Sequence, residues 1–591
     1  MRPIINDVHQ QFAAFFHGER LAPYAYLVSK KLSEGHICVD LSALDQEKDY
    51  LPPVYQPLIT KGIPDLSREK LVAGPGESQP FILHHERLYL QRYFRYETMI
   101  LEGIRRLLET EAPVRTARCE ALLNQKELIQ RLFPRSDDSG ESPETDWQLA
   151  GVLLGAIGNL TIITGGPGTG KTTTLANMLT VLYALEPTLN IALAAPTGKA
   201  AMRMAESLAQ ALVRNPDLAS EKIRALEPMT LHRLLKPVNG SPHFRHHADN
   251  PLSEDVIIVD EASMVDAALL AKLLDAVKKG SRLILLGDKH QLASVEAGSI
   301  LGDLCQDEHR INVTDPETGA ALKPLCALPT VPQDHPLCGH IVELIKSRRF
   351  GPDSGIGKVS TAILAGNAGA IKSVPGEVEI DHSYDPDILS AFLDGFEAFI
   401  AEKDISEAYK KFGNLRILCA VRQGERGVYR LNSLAEEYLK KRKLIRITGE
   451  FYEHRPVIIG RNYYELGLFN GDTGIIRADQ QGVLKAWFPD GKGGMREILP
   501  HYISEAQTVF AMTIHKSQGS EFDRVLVVLP EQDRGAFLTQ ELLYTAITRA
   551  RKQVIIQGTE TMIREIAGRR VQRVSGINER FNDDFKFSST H

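Results

Sequence analysis

The residues Gly165-Gly166-Pro167-Gly168-Thr169-Gly170-Lys171-Thr172-Thr173 have the type and spacing of a phosphate-binding loop. Glycines at these positions let backbone N–H groups turn inward and approach an anion, a lysine at the end reaches the outer phosphates, and the next hydroxyl can hold a divalent cation. Downstream, Val256-Ile-Ile-Val-Asp260-Glu261 ends an apolar run in two acids. A carboxylate pair at the end of a strand beside a phosphate loop is suited to Mg²⁺, held by Thr172 and Asp260, with Glu261 polarising the attacking water. The pair of motifs implies ATP as cofactor, with Mg²⁺, and hydrolysis as the chemistry. A Gly-rich turn with no ligand, or a strand ending in solvated acids, is the bland alternative. The strand-loop-helix context and the order of the two motifs weigh against it.

These residues need a scaffold, and the chain supplies short apolar runs separated by helical stretches. Leu160–Thr164, Ile191–Ala195, Val256–Val259 and Arg282–Leu286 form one set; Leu415–Val421, Arg524–Leu529 and Gln553–Gln557 form a second. Continuous apolar strands between helices predict parallel sheets covered on both faces, hence an α/β chain with two similar domains. Residues 453–505 break the second set with Asn470-Gly471, Asp490-Gly491 and Gly493-Gly494 turns, the pattern of a small β-barrel insertion. Residues 134–146 are acidic and rich in Ser and Pro, and read as a linker. The predicted organisation is an N-terminal helical docking domain over 1–133, with Leu88–Leu108 as one of its helices. A first motor domain over 147–344 and a second over 345–591 follow.

Composition bounds the rest. With 591 residues, 43% hydrophobic and 24% charged, the chain is an ordinary multidomain globular protein. A net charge of -6 places any nucleic-acid contact in a localised groove rather than on a basic coat. Six scattered cysteines without a CxxC pair, and a start at Met1–Asp7 without a signal-peptide core, lead to the expectation of a cytoplasmic chain. The uncharged run Leu149–Gly170 approaches the length of a membrane span, but Gly158-Asn159 and the glycine loop divide it into helix, turn and strand. Cys305, Cys326, Cys338 and His340 share the stretch 302–340; without a close cysteine pair, incidental cysteines are preferred over a zinc site.

Further motifs decide what the ATPase drives. Leu285-Leu-Gly287-Asp288-Lys-His-Gln291-Leu resembles the helicase motif whose glutamine senses the γ-phosphate. Thr513-Ile-His515-Lys516-Ser517-Gln518-Gly519-Ser-Glu521-Phe522 resembles the motif that links nucleotide to DNA, and Leu543-Tyr544-Thr-Ala-Ile-Thr548-Arg549-Ala550 the one that carries an arginine finger. In that order they resemble superfamily-one helicases over residues 146–558. Ala195-Pro-Thr197-Gly-Lys199-Ala-Ala201, Thr230-Leu-His232-Arg233, Lys346-Ser-Arg-Arg349-Phe350, Ser354-Gly-Ile-Gly357 and Leu466-Gly-Leu-Phe-Asn470-Gly471-Asp472 are similar to the RecD family, the alpha subunits of exodeoxyribonuclease V.

The resemblance implies two RecA-like motor domains, an SH3-like barrel, and 5′ to 3′ movement on single-stranded DNA. It also implies action at duplex ends in double-strand break repair, RecB-like and RecC-like partners, and no membrane association. It places Gln148 at the adenine edge, Arg349 as a second γ-phosphate cation, and Arg549 as the finger. Thr197, Lys199, Thr230, His232, Asn470 and His515 are implied DNA-backbone contacts. The polar hairpin near 236–252 is a candidate strand-separating pin, with Phe244 to stack on a base. A stand-alone repair helicase and an ATP-gated regulatory subunit of a nuclease are the competing readings.

Overall fold

The computed structural model describes residues 7–584 apart from 17–19, 49–50, 60–64, 135–144, 216–219, 333–334, 352, 492, 533–536 and 572. Most of the acidic linker therefore lies outside the described residues. The first set of strands forms a six-stranded, all-parallel sheet. Its order is Ile341–Leu344, Leu160–Gly165, Arg282–Gly287, Val256–Val259, Ile191–Ala195, Met229–Thr230. Every residue of Leu160–Gly165, Val256–Val259 and Arg282–Gly287 is buried. Helices cover both faces, which is why the strands read as unbroken apolar runs. The run Leu149–Gly170 resolves into a helix Trp147–Ile157, capped by Asp146, followed by the strand. Among the described residues no helix is long and apolar enough to cross a membrane.

The second set forms a five-stranded parallel sheet in the order Val378–Asp381, Ala550–Gln557, Phe522–Val528, Leu415–Cys419, Ala511–Thr513. Between two of its strands the chain makes a five-stranded antiparallel sheet: Met495–Ile498, Leu484–Pro489, Thr473–Ala478, Pro456–Ile458, Gln507–Thr508. It has a small apolar core of its own, with Val457, Ile476 and Phe488 among its members. The fold is α/β, with two RecA-like parallel sheets, a largely helical N-terminal region and this β insertion.

The N-terminal region departs from the sequence expectation in one element. Leu88–Leu90 belongs to a strand, Arg87–Leu90, paired with Cys38–Asp40 and Phe81–His84 in a four-stranded sheet. The helix begins only at Gln91 and runs 33 residues to Leu123, with Pro113 inside it. Strand pairing across distant segments overrides the helical look of Leu88-Tyr89-Leu90. The long helix packs into the first motor domain: Phe94, Ile100, Ile104 and Leu107 share a core with Leu270, Leu273 and Leu274. At the crossing, a Cβ on Gly103 would lie 2.7 Å from Leu274 Cβ, so glycine sets the close approach. The chain's C-terminal helix Ile577–Asp584 returns to the same place, where Arg580 meets the fully buried Glu97 at 3.3 Å and Gly576 N–H donates to Glu97.

Candidate nucleotide cleft and nucleic-acid groove

The strand Leu160–Gly165 turns into the phosphate loop at the sheet's C-terminal edge. Gly168 and Gly170 have φ of +77° and +92°, a region that side chains with a Cβ rarely enter. A Cβ on Gly168 would also lie 2.2 Å from Arg349 Cβ, and one on Gly170 2.0 Å from Gln148 Nε2. The helix Lys171–Leu185 starts at once, so the free N–H groups of its first turn, which includes Thr172 and Thr173, join those of the loop. Lys171 Nζ folds back and donates to the carbonyls of Gly165 at 2.6 Å and Gly166 at 3.2 Å. Thr169 Oγ1 donates to Gly166 O at 2.8 Å.

Asp260 follows the strand Val256–Val259, and Glu261 takes a left-handed conformation with φ of +53°. The two carboxylates are close, and Glu261 N–H donates to Asp260 Oδ1 at 2.8 Å. Burial, with the Glu261 charge beside it, pushes the Asp260 carboxyl up to about 6, and the Lys171 ammonium opposes the shift. Ser263 Oγ nearby in the chain is buried without a hydrogen-bond partner.

Gln148 is held at both ends of its amide. Nε2 donates to Thr169 O at 2.8 Å, and Oε1 accepts from Arg348 Nη2 at 2.9 Å. The segment Ser347–Arg349 lies on the loop, with Ser347 Oγ donating to Pro167 O and Arg348 N–H to Gly168 O. Arg349 pairs with Glu521 at 2.6 Å, and Arg203 reaches the same Glu521 oxygen at 2.7 Å. Burial raises the Glu521 carboxyl, but these two guanidinium groups outweigh it and hold the group at about 2. Arg349 Nη1 is buried and unpartnered.

The second domain reaches across the cleft through its helix Gln540–Ile547. Arg549, buried just past that helix, donates from Nε to Thr545 O and from Nη1 to Ser520 O. Burial lowers its pKa, and the facing Glu261 charge works against that. Gln291 Nε2 donates to Asp288 Oδ2, and Tyr544 OH donates to the same oxygen from the other domain. The geometry thus gathers Gln148, Lys171, Thr172, Asp260, Glu261, Gln291, Arg349 and Arg549 around one cleft. A triphosphate and a divalent cation fit it: two glycines make room for an anion, Lys171 is spent on its own loop carbonyls, and a guanidinium nitrogen and a hydroxyl lie buried without partners.

Sequence reading missed Arg203, Asp288, Glu521 and Tyr544 as functional positions. The last three stand inside the quoted motifs. The pairings of Asp288 with Tyr544 and of Glu521 with Arg203 and Arg349 join segments far apart in the chain, so spacing alone gives no signal.

The predicted nucleic-acid contacts fall into two groups. Thr197 caps the helix Gly198–Arg214, and a Cβ on Gly198 would lie 2.8 Å from Phe469, so Thr197 and Lys199 abut the Asn470 turn of the insertion. Burial, with Arg416 and Arg203 adding to it, pulls Lys199 down to about 7 against the attraction of Asp472. Asn470 also lines a cavity of about 180 Å³ with Arg422, Thr513 and Lys516; His515 is the neighbour of Lys516. The second group stands apart. Thr230 caps the short helix Leu231–Leu235, and the His232 ring meets Phe244 at 5.6 Å.

The hairpin turns at Val238-Asn239-Gly240-Ser241, where Ser241 N–H donates to Val238 O and Gly240 has φ of +72°. Phe244 is not at this tip: it bridges back to Pro237, half-buried, with Lys272 over its ring at 5.2 Å. All six cysteines are free and buried. Cys305 and Cys326 pack in different cores, and His340 Nδ1 is 2.8 Å from Leu160 O. Among the described residues no group of three or more His, Cys, Asp or Glu is arranged to hold a metal.

Two parallel sheets facing each other across a phosphate loop define an ATP-hydrolysing helicase, and family comparisons agree. Residues 150–297 match the AAA domain, 508–557 the UvrD-like helicase C-terminal domain, and 2–89 the N-terminal domain of the RecBCD enzyme subunit RecD. The chain is 34% identical over 608 residues to the RecBCD enzyme subunit RecD of Mycobacterium tuberculosis, covering 98% of this chain and 94% of that one. It is 34% identical to the Haemophilus influenzae RecD over 85% of this chain and 81% of that one. The ATP-dependent RecD2 DNA helicase of Deinococcus radiodurans is 29% identical over 84% of this chain and 58% of its own length. The chain belongs to the RecD family.

Proposed function

We propose that the chain is the 5′ to 3′ single-stranded DNA translocase and helicase subunit of a RecBCD-type complex, acting with RecB-like and RecC-like chains on duplex ends in break repair. The observation that carries the motor reading is the two-sided cleft. Lys171, Asp260 and Glu261 stand at the end of one sheet, while Tyr544, on the helix Gln540–Ile547, and Arg549 just past it come from the other domain. Hydrolysis that needs both sides occurs only when the domains close, and closure moves the second domain and its insertion relative to Thr197 and Lys199.

In this reading Gln148 fixes the adenine edge, while loop N–H groups between Gly165 and Thr173, Pro167 excepted, and the Lys171 ammonium cradle the phosphates. Thr172 and Asp260 hold Mg²⁺, which neutralises phosphate charge when bound. Glu261 orients and deprotonates the water, Gln291 and Arg349 sense the γ-phosphate, and Arg549 neutralises charge as the bond breaks. Thr197, Lys199, Asn470 and His515, with the cavity that Asn470 lines, grip one strand through its backbone. Thr230, His232 and Phe244 form the base of the pin, with Val238 and Asn239 at its point. Support for the subunit reading comes from the match of residues 2–89 and from relatives named as RecD subunits that align over nearly their whole length. A single-stranded-DNA-stimulated ATPase assay, followed by a strand-displacement assay on substrates with a 5′ or a 3′ tail, tests it. Unwinding only from 3′ tails would overturn the polarity, and an ATPase indifferent to DNA would overturn the motor.

A further inference from the structure

Asp288 ends the strand Arg282–Gly287 and is 1% exposed. Its Oδ1 accepts from His290 N–H at 3.0 Å. Its Oδ2 accepts from two donors at once, Gln291 Nε2 at 3.0 Å and Tyr544 OH at 3.2 Å. Tyr544 belongs to the second motor domain, yet its hydroxyl reaches the phosphate loop, where a Cβ on Gly166 would lie 2.9 Å from it. The next residue after Gln291 is also captured by that domain. Leu292 sits in the second domain's apolar core, its N–H donates to Thr545 Oγ1 at 2.9 Å, and its carbonyl accepts from Gln518 Nε2 at 2.7 Å. The backbone is thus fixed on both sides of Gln291, and what is left free to turn is its amide.

That amide commits one Nε2–H to Asp288, and turning it fully toward a γ-phosphate breaks this bond. If it leaves, a buried carboxylate loses a donor, a cost that opposes the turn. We propose that Tyr544 is the positioning residue that releases Gln291: its hydroxyl keeps Asp288 partnered when the Gln291 amide swings to the nucleotide, so the sensor is armed only when the second domain is closed on the first. The inference rests on the ATPase reading above. Burial, and then the Asp288 charge, drive the Tyr544 hydroxyl well above the ordinary tyrosine range, so it stays protonated and donates.

Full-length Tyr544→Phe removes one oxygen and leaves the ring. With saturating single-stranded DNA, its kcat for ATP falls roughly tenfold while KM for ATP stays within about twofold, because the grip on the phosphates is untouched. Adding Asp288→Asn, whose neutral amide holds Gln291 less tightly, restores roughly threefold of the lost kcat. A ring that merely fills space gives neither the split between kcat and KM nor the rescue. Wild-type kcat in Tyr544→Phe, an equal change in KM, or no recovery in the double variant overturns the proposal. Absence of DNA-stimulated ATPase in the wild-type chain would instead overturn the motor assignment, so the two failures are distinguishable.

Discussion

In each parallel sheet the strand one place in from the side runs out at the C-terminal edge, and the two edges are built differently. In the first sheet, Leu160–Gly165 runs into a loop whose Gly168 and Gly170 adopt positive φ, with Asp288 following the adjacent strand and Asp260 the strand beyond it. In the second, Leu415–Cys419 runs into Ala420-Val421-Arg422, and its neighbour Ala511–Thr513 leads to Lys516. Arg422, Thr513 and Lys516 line an open cavity there. One edge offers backbone N–H groups within reach of an anion, and the other offers side-chain cations across a wider space. Backbone donors fix one ligand in one place, as bond cleavage requires, whereas long cations tolerate a ligand that slides. The difference points to ATP at the first edge and the DNA backbone at the second.

Damage at the first edge tests that contrast most severely. Lys171→Ala is expected to lower the DNA-stimulated ATPase by about 10³-fold or more and to weaken nucleotide binding, read by a fluorescent ATP analogue. Residual turnover within tenfold of wild type would mean that phosphates are not held there. Arg549→Ala sharpens the comparison, because Arg549 belongs to the second domain yet faces Glu261. A loss of roughly 10²- to 10³-fold in kcat with nucleotide affinity retained is expected, since the charge it answers develops only as the bond breaks. Equal losses in affinity and kcat would make it a binding residue. At the second edge, Lys516→Ala is expected to weaken single-stranded DNA binding roughly fivefold and to reduce the slope of log affinity against log salt by about 0.7, measured by anisotropy. An unchanged slope would remove that edge from the DNA path.

The sequence shows the first edge better than the second, for a physical reason. Glycine spacing, the Asp260-Glu261 pair and continuous strands such as Val256–Val259 are local signals, each set by its immediate neighbours. Arg203 with Glu521, and Asp288 with Tyr544, are partnerships between domains, and only folding brings them together. Glu97 and Glu111 look like the solvent face of a helix in sequence. They are buried because Arg580 and Arg115 reach them, the first from the far end of the chain. Phe244 reads in sequence as a hairpin ring free to stack on a base, but it lies four residues past the Asn239-Gly240 turn and packs against His232.

The seam between the edges carries the most specific effect. Lys199, next to the Asn470 turn, is pulled down to about 7 by burial and by Arg416 and Arg203, whereas an unfolded lysine titrates near about 10.4. Between those values the unfolded chain binds a proton that the folded chain lacks, so Lys199 adds stability as pH rises through that window. A DNA phosphate beside it reverses the preference. The bound state favours the ammonium, binding takes up a proton, and single-stranded DNA affinity should fall as pH rises from about 7 to about 9, by at most about tenfold per unit. Anisotropy at constant ionic strength measures this, and Lys199→Met should flatten the profile. Parallel profiles in the two proteins would place the phosphate elsewhere and leave Lys199 a partner of Asp472 alone. A flattened profile would locate the strand between the first motor domain and the insertion, at the joint that closure moves.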